Sequence, residues 1–279
     1  MPRYVSPVSI PAAWSRLVDD AAIFPPGDAP LHDATAAYGA RSAEDGAELV
    51  GTFVLRDTDL PLVRGFGGPL SVVCTGGAGQ LAGPIGLAAK LGLTVAGVEI
   101  AVRDLDDLAG NVRRVALAAA DLGDVPVYVE LPHVANSGAW LAAADEVAAS
   151  GLRLKFRTGG LEASAFPAAH ALARWIDAAL DRETPFKCTA GLHHAVRRTD
   201  PETGFEHHGF LNVLVATRLL FDGAGVDDAV IVLKQHEPDT LVSAAHELDL
   251  AGARRWFTSF GSCSVSDPWA DLRELGLVS

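Results

Sequence analysis

Short β-branched runs alternate along this chain with alanine-rich segments of helical period. That alternation admits few folds, because strands separated by helices pair in parallel and each crossover helix buries a face of the sheet. Eight strand-like runs can be read: Asp20–Phe24, Glu48–Arg56, Pro69–Thr75, Leu93–Ala101, Val125–Leu131, Gly151–Arg157, Pro185–Ala190 and Arg255–Gly261. Helix-like segments lie near 30–46, 78–91, 104–122, 137–149, 164–181 and 208–222, several opened by Pro, Ser, Asn or Asp as caps. The segment 57–67 is a poor helix, 226–253 reads as a helical insertion before the last strand, and Pro11–Val18 reads as a short helix covering a barrel floor. The expected fold is a single α/β domain over residues 1–279, a (β/α)₈ TIM barrel, close to the roughly 250 residues such barrels take. A doubly wound open sheet is the alternative. It would be favoured by a GxGxxG turn after a strand, and the TGGAG stretch at Thr75–Gly79 does not supply one.

Composition narrows the partners. Apolar residues make up 49% of the chain and charged residues 20%, enough to bury a sizeable core and to exclude general disorder. With 22 basic against 35 acidic residues the formal charge is −13, a field that repels phosphate backbones and anionic lipid. Nucleic acid and membrane surfaces are therefore not expected partners, and a small anionic substrate needs a locally basic pocket. Cys74, Cys188 and Cys263 are odd in number and lack CxxC spacing, which fits reduced thiols in the cytoplasm. The start, MPRYVSPVSIPAAW, is broken by prolines and lacks a signal-peptide apolar core. The five tryptophans are scattered singly and read as packing. Barrels associate through helix faces, so a homo-oligomer is compatible with the sequence, but no apolar stripe names an interface.

Strand parity says what lies inside. Alternate side chains of a barrel strand meet the helices and the interior. In Gly151–Arg157 the outward set is Leu152, Leu154 and Phe156, which turns Arg153, Lys155 and Arg157 inward. In Pro185–Ala190 Phe186, Cys188 and Ala190 face outward, and Lys187 and Thr189 inward. The same parity turns Glu99 and Glu130 inward. These residues gather toward the C-terminal strand ends, the face on which barrel enzymes place their chemistry. A structural ion-pair network is one reading, since buried charges are normally paired. Two lysines on adjacent strands point to another: a neighbouring cation and desolvation both depress a lysine pKa, and a neutral lysine attacks carbonyls to form a Schiff base, with the carboxylates moving protons.

Several segments resemble one family. Lys155-Phe156-Arg157-Thr158-Gly159 resembles the K-x-x-T-G signature on the sixth strand of the deoxyribose-phosphate aldolases, class I aldolases with a barrel fold. Lys187-Cys188-Thr189-Ala190-Gly191 is similar to that family's seventh-strand K-x-x-G-G, and Phe260-Gly261-Ser262-Cys263-Ser264 to its F-G-x-S-S phosphate loop. Val127-Tyr128-Val129-Glu130 looks like the fifth strand, and Leu17-Val18-Asp19-Asp20-Ala21 loosely like the first, which carries an aspartate. The resemblance implies Lys155 as the Schiff-base lysine and Lys187 as the cation that lowers its pKa. It places Glu99 where the family has a catalytic aspartate, and makes Gly261, Ser262 and Ser264 donors to a phosphate or carboxylate. Arg157 departs from the family's small residue and favours a carboxylate or phosphate held bidentately. The glycine after Lys187 is displaced by one position, and glutamate replaces aspartate at 99. The expectation is a relative with changed specificity: a Schiff-base lyase for a small, anionic carbonyl compound, needing no metal or other cofactor. Glu130 joins the catalytic set, and Thr158, Thr189 and His193 join Arg157 as substrate-binding candidates.

Two other classes stay open. His193, His194, His207 and His208 lie close together in sequence and, beside Glu99 and Glu130, could serve a metal-dependent lyase, isomerase or hydrolase. No HxH or HExxH spacing supports that directly. A non-catalytic barrel could also bind an anion through Arg157 and the Gly261–Ser264 loop. Phe24-Pro25-Pro26-Gly27 reads as a chain reversal at the rim, and Cys263 is placed near the cavity.

Overall fold

A computed structural model describes residues 10–134 and 137–279; the first nine residues of the proline-broken start lie outside the described residues. The strands are β1 (Val18–Asp20), β2 (Val50–Arg56), β3 (Pro69–Cys74), β4 (Thr94–Ala101), β5 (Val127–Glu130), β6 (Arg153–Arg157), β7 (Phe186–Thr189), β8 (Arg198–Thr199), β9 (Glu206–His207) and β10 (Phe257–Ser262). Between and after them run α1 (Leu31–Ala40), α2 (Ala82–Lys90), α3 (Leu108–Ala119), α4 (Gly138–Ala149), α5 (Ala169–Asp181), α6 (Phe210–Phe221), α7 (Val226–Leu233), α8 (Pro238–Glu247), α9 (Leu250–Ala253) and α10 (Ser266–Glu274). Strands β1 to β7 pair in chain order, and β10 lies between β7 and β1, closing a parallel barrel. This is the (β/α)₈ architecture expected from the alternation. The insertion before the last strand is α7, α8 and α9, and β8 with β9 forms a small antiparallel hairpin in the loop after β7.

The outward parity packs as expected. Phe186 on β7 lies 5.0 Å from Phe156 on β6 and 5.4 Å from Phe257 on β10, ring centre to ring centre. Helix α6 docks on that layer by stacking Phe210 on Phe260 at 5.2 Å, a geometry that adds about 0.5–1.5 kcal/mol beyond the area buried. Cys188 is fully buried in the same layer. Asp107 and Ser137 cap α3 and α4 by accepting the Gly110 and Trp140 amides at 3.0 and 3.2 Å, which fixes two of the helices behind the strands that carry the acids.

Three expectations change. Pro11–Val18 is not a helix: the Trp14 and Leu17 amides close two successive turns onto Pro11 and Trp14, and Arg16 adopts φ 53°, which ends any helical run. The first strand is Val18–Asp20, two residues earlier than predicted, because its pairing with β10 and β2 runs over Val18 to Asp20 and the chain then turns back, Phe24 N–H bonding Ala21. The last strand is Phe257–Ser262, so Arg255 and Trp256 precede it.

Candidate active site

Register sets the level of the inward residues. Glu130 on β5 lies opposite Lys155 on β6, Lys155 opposite Lys187 on β7, and Lys187 opposite Ser259 on β10. Inside the barrel these residues form one chain of alternating charge. Arg157 Nε meets Glu130 Oε1 at 3.0 Å, and Glu130 Oε2 meets Lys155 Nζ at 3.0 Å. Lys155 Nζ meets Glu99 Oε2 at 2.7 Å, Glu99 Oε1 meets Lys187 Nζ at 2.6 Å, and Lys187 Nζ ends on Asp19 Oδ2 at 2.7 Å. Hydroxyls complete the acids' shells: Ser71 Oγ donates to Glu99 at 2.7 Å, and Ser259 Oγ and Thr52 Oγ1 donate to Asp19 at 2.6 and 2.8 Å. Below this level Arg153 Nη1 donates to the Tyr128 hydroxyl at 3.0 Å, and the Tyr128 ring lies 5.4 Å from Lys187 Nζ.

Burial disfavours the charges of Glu99, Glu130, Lys155 and Lys187, and their partners outweigh it. The two ammonium groups hold the Glu99 carboxyl far below the usual range, and Lys155 with Arg157 lowers that of Glu130. Against the same burial, Glu99 and Glu130 raise the pKa of Lys155, and Asp19 and Glu99 raise that of Lys187. This corrects the expected role of Lys187. Glu99 is interposed between the two lysines, so in the resting protein Lys155 is a stabilised ammonium rather than a depressed amine.

Two cavities open on the network at the C-terminal strand ends. One, of about 300 Å³, has an apolar wall with Phe24, Pro25, Val54 and Leu161, together with Thr189, His193, Gly261 and Cys263. The other, of about 550 Å³, is lined by the Gly76–Gly77 turn, Arg103 and Glu130 among others. Val73, Glu99, Lys155 and Arg157 line both. Both volumes suit a small molecule.

The predicted site residues fall into two groups. Lys155, Lys187, Glu99, Glu130 and Arg157 converge, and Thr189, His193 and Gly261 line the smaller cavity. Thr158, Ser262 and Ser264 were expected to hold substrate, but their hydroxyls are used inside the protein. Thr158 Oγ1 donates to the Ala190 carbonyl at 2.6 Å, Ser262 Oγ donates to the Ser264 carbonyl at 2.6 Å, and Ser264 Oγ accepts the Asp267 amide at 3.2 Å at the start of α10. The glycines of the lysine motifs have a backbone reason. A Cβ on Gly191, whose φ is +77°, would stand 2.9 Å from the Gly159 Cα, so two strand ends cross there at a distance only glycine allows.

The histidines disperse. His194 binds Asp271 at 3.1 Å and Arg198 at 2.9 Å. His208 is buried between Pro167 O at 2.8 Å and Arg197 Nη1 at 3.2 Å, and the His207 ring packs on Phe166 at 4.5 Å. His193 alone of the four lines the smaller cavity, 3.7 Å from Cys263 Sγ. Among the described residues no group of three or more His, Cys, Asp or Glu side chains is placed to hold a metal ion. Burial lowers the His193 pKa and raises that of the Cys263 thiol, so both are neutral near pH 7.

Parity reasoning missed Asp19, Ser71, Ser259 and Arg103. Asp19 lies one residue before the strand start that the sequence suggests; the others carry no motif. No helix among the described residues is long and apolar enough to cross a membrane. Comparison of the chain with models of known protein families and with curated proteins finds no match.

Proposed function

We propose that this protein is a class I lyase that makes or breaks a carbon–carbon bond in a small carbonyl compound through a Schiff base on Lys155. The observation that carries the reading is Lys155 Nζ itself: buried, lining both cavities, with the Glu99 and Glu130 carboxylates at 2.7 and 3.0 Å. A lysine kept there for stability alone would not need open space on two sides.

The ammonium first gives a proton to a neighbouring carboxylate. The free amine then attacks the carbonyl carbon, a C–N bond forms, and the carbonyl oxygen leaves as water, giving an iminium. In the cleavage direction a hydroxyl two carbons from the iminium carbon loses its proton to a base. The electron pair of the C–C bond flows into the iminium, leaving an enamine, and an aldehyde departs. Protonation of the enamine carbon and addition of water release the second product and restore the amine. Neutral His193, on the wall of the smaller cavity, is the group of this chain suited to exchange the hydroxyl proton. Lys187 and Asp19 hold Glu99 in place at the far side. The three free thiols suit a reducing compartment such as the cytoplasm.

The test is reductive trapping. The protein is incubated with small aldehydes, ketones and oxo acids, reduced with borohydride and peptide-mapped. The chain has four lysines, Lys90, Lys155, Lys187 and Lys234, so the adduct can be placed without ambiguity. An adduct on Lys155, absent in Lys155→Met, is the expected result. No adduct, or one confined to Lys90 or Lys234, overturns the reading.

A further inference from the structure

We propose that the 550 Å³ cavity is a carboxylate subsite in which Arg103 and Arg157 hold the carboxylate of an oxo-acid substrate while its carbonyl lies against Lys155. The proposal rests on the Schiff-base reading of Lys155 and adds the substrate class and a residue that determines it.

The first argument is charge. Arg157, Lys155 and Lys187 are matched by Glu130, Glu99 and Asp19, so the buried chain is neutral as it stands. Arg103, two residues past the end of β4 and exposed to solvent, lines the same cavity and makes no hydrogen bond or ion pair among the described residues. The cavity thus carries one unbalanced positive charge. A carboxylate monoanion neutralises it, whereas a phosphate dianion would bring a surplus charge against Glu99 and Glu130.

The second is geometry. Arg157 binds Glu130 through Nε and reaches the Gly159 carbonyl only at 3.5 Å through Nη1, so its guanidinium edge is not saturated. Lys155 and Arg157 are two apart on one face of β6, about 6.6 Å along the strand, a span that a small oxo acid bridges. The larger cavity takes the charged end, and the smaller one, with Phe24, Pro25, Val54 and Leu161, takes the carbon chain. The planar guanidinium pair also favours a planar carboxylate, which it can meet with parallel N–H bonds.

Pyruvate and acetone differ in this one group and serve as probes of trapping on the whole chain, wild type against Arg103→Gln. The expected result is that wild type traps pyruvate at lower concentration than acetone, and that this preference falls about tenfold in Arg103→Gln. An unchanged preference with the adduct still on Lys155 overturns the subsite and leaves the Schiff base standing. Titration calorimetry with lactate, which has the carboxylate but no carbonyl, reads the subsite separately. Arg103→Gln is expected to weaken lactate about tenfold; equal affinity, or inorganic phosphate binding more tightly than lactate, overturns the proposal. Absence of any Lys155 adduct together with Arg103-dependent lactate binding sinks the Schiff base and retains the carboxylate site.

Discussion

Glu99→Gln keeps the side chain's shape and removes the charge that sits between the two lysines. Glu99 meets Lys155 at 2.7 Å and Lys187 at 2.6 Å, and accepts Ser71 Oγ at 2.7 Å. With a neutral amide there, Lys155 keeps only Glu130 and Lys187 only Asp19. Removing one member of a buried ion pair costs about 3–5 kcal/mol, because the charges left behind remain out of water. An opposite charge this close shifts a titrating group by about 1–3 pH units, so the Lys155 pKa, raised at present by Glu99 and Glu130, falls by about that amount. The ammonium of Lys187, no longer screened by Glu99, pushes it the same way. The assay is the pH dependence of borohydride trapping at saturating carbonyl compound, with urea unfolding run on the same samples. The inflection of the trapping rate moves to lower pH by about 1–3 units while the unfolding midpoint drops. An inflection that stays in place in a folded, destabilised variant refutes the claim that Glu99 sets the proton affinity of Lys155.

Two further outcomes follow, one from the same contacts and one from a buried histidine outside them. Lys187→Met turns the charge of Glu99 wholly onto Lys155 and deprives Asp19 of its cation, so the trapping inflection moves to higher pH and stability falls by about 3–5 kcal/mol; a shift to lower pH would show that the two lysines interact in some other way. His208, at 1% exposure, has its pKa held down to about 4 by burial, below the ordinary 6.5. The unfolded chain therefore binds more protons in that interval, stability rises with pH across it, and acidification from pH 7 to pH 5 removes about 2 kcal/mol. Urea midpoints at the two pH values check this, with His208→Asn as the comparison that must flatten the difference.

The barrel was legible because its outward parity is so apolar. Leu152, just before β6, with Leu154 and Phe156 on it, leave no doubt about which face Lys155 occupies, and the structure buries all three. Asp19 was not legible in the same way, since a three-residue strand is too short to display a period of two, and Ile23-Phe24 drew the expected strand toward the turn that follows. Thr158, Ser262 and Ser264 were recognised by their place in motifs. Motif letters specify which hydroxyls are present, but backbone geometry decides whether a hydroxyl meets a ligand or a main-chain group of the protein itself. Arg103 stands just past a strand end, where parity says nothing, and only the cavity gives it meaning. The lysines depart furthest from what the sequence implies. Parity and strand adjacency put two cations side by side and implied mutual depression. Glu99 comes from β4, which pairs with neither lysine strand, and crosses the barrel interior to reach both. A contact across the lumen depends on barrel diameter and side-chain length, and no pattern along one strand encodes it.

The interposed carboxylate also bears on which acid takes the Lys155 proton. Glu99 is pinned by two ammonium groups and a hydroxyl and is almost wholly enclosed, so protonating it would abandon three charge-assisted or neutral bonds at once. Glu130 is shared between Lys155 and the more exposed Arg157. If an oxo-acid carboxylate docks on Arg157 and Arg103, it draws the guanidinium away from Glu130 and sets a second negative charge beside it. Both effects raise the proton affinity of Glu130 at the moment Lys155 must become an amine. Binding of the charged end of the substrate would then prepare the nucleophile for the carbonyl end. A neutral ketone, lacking that charge, would meet an ammonium, and its trapping would lag most at low pH and converge on that of pyruvate as the pH approaches the lysine's own titration.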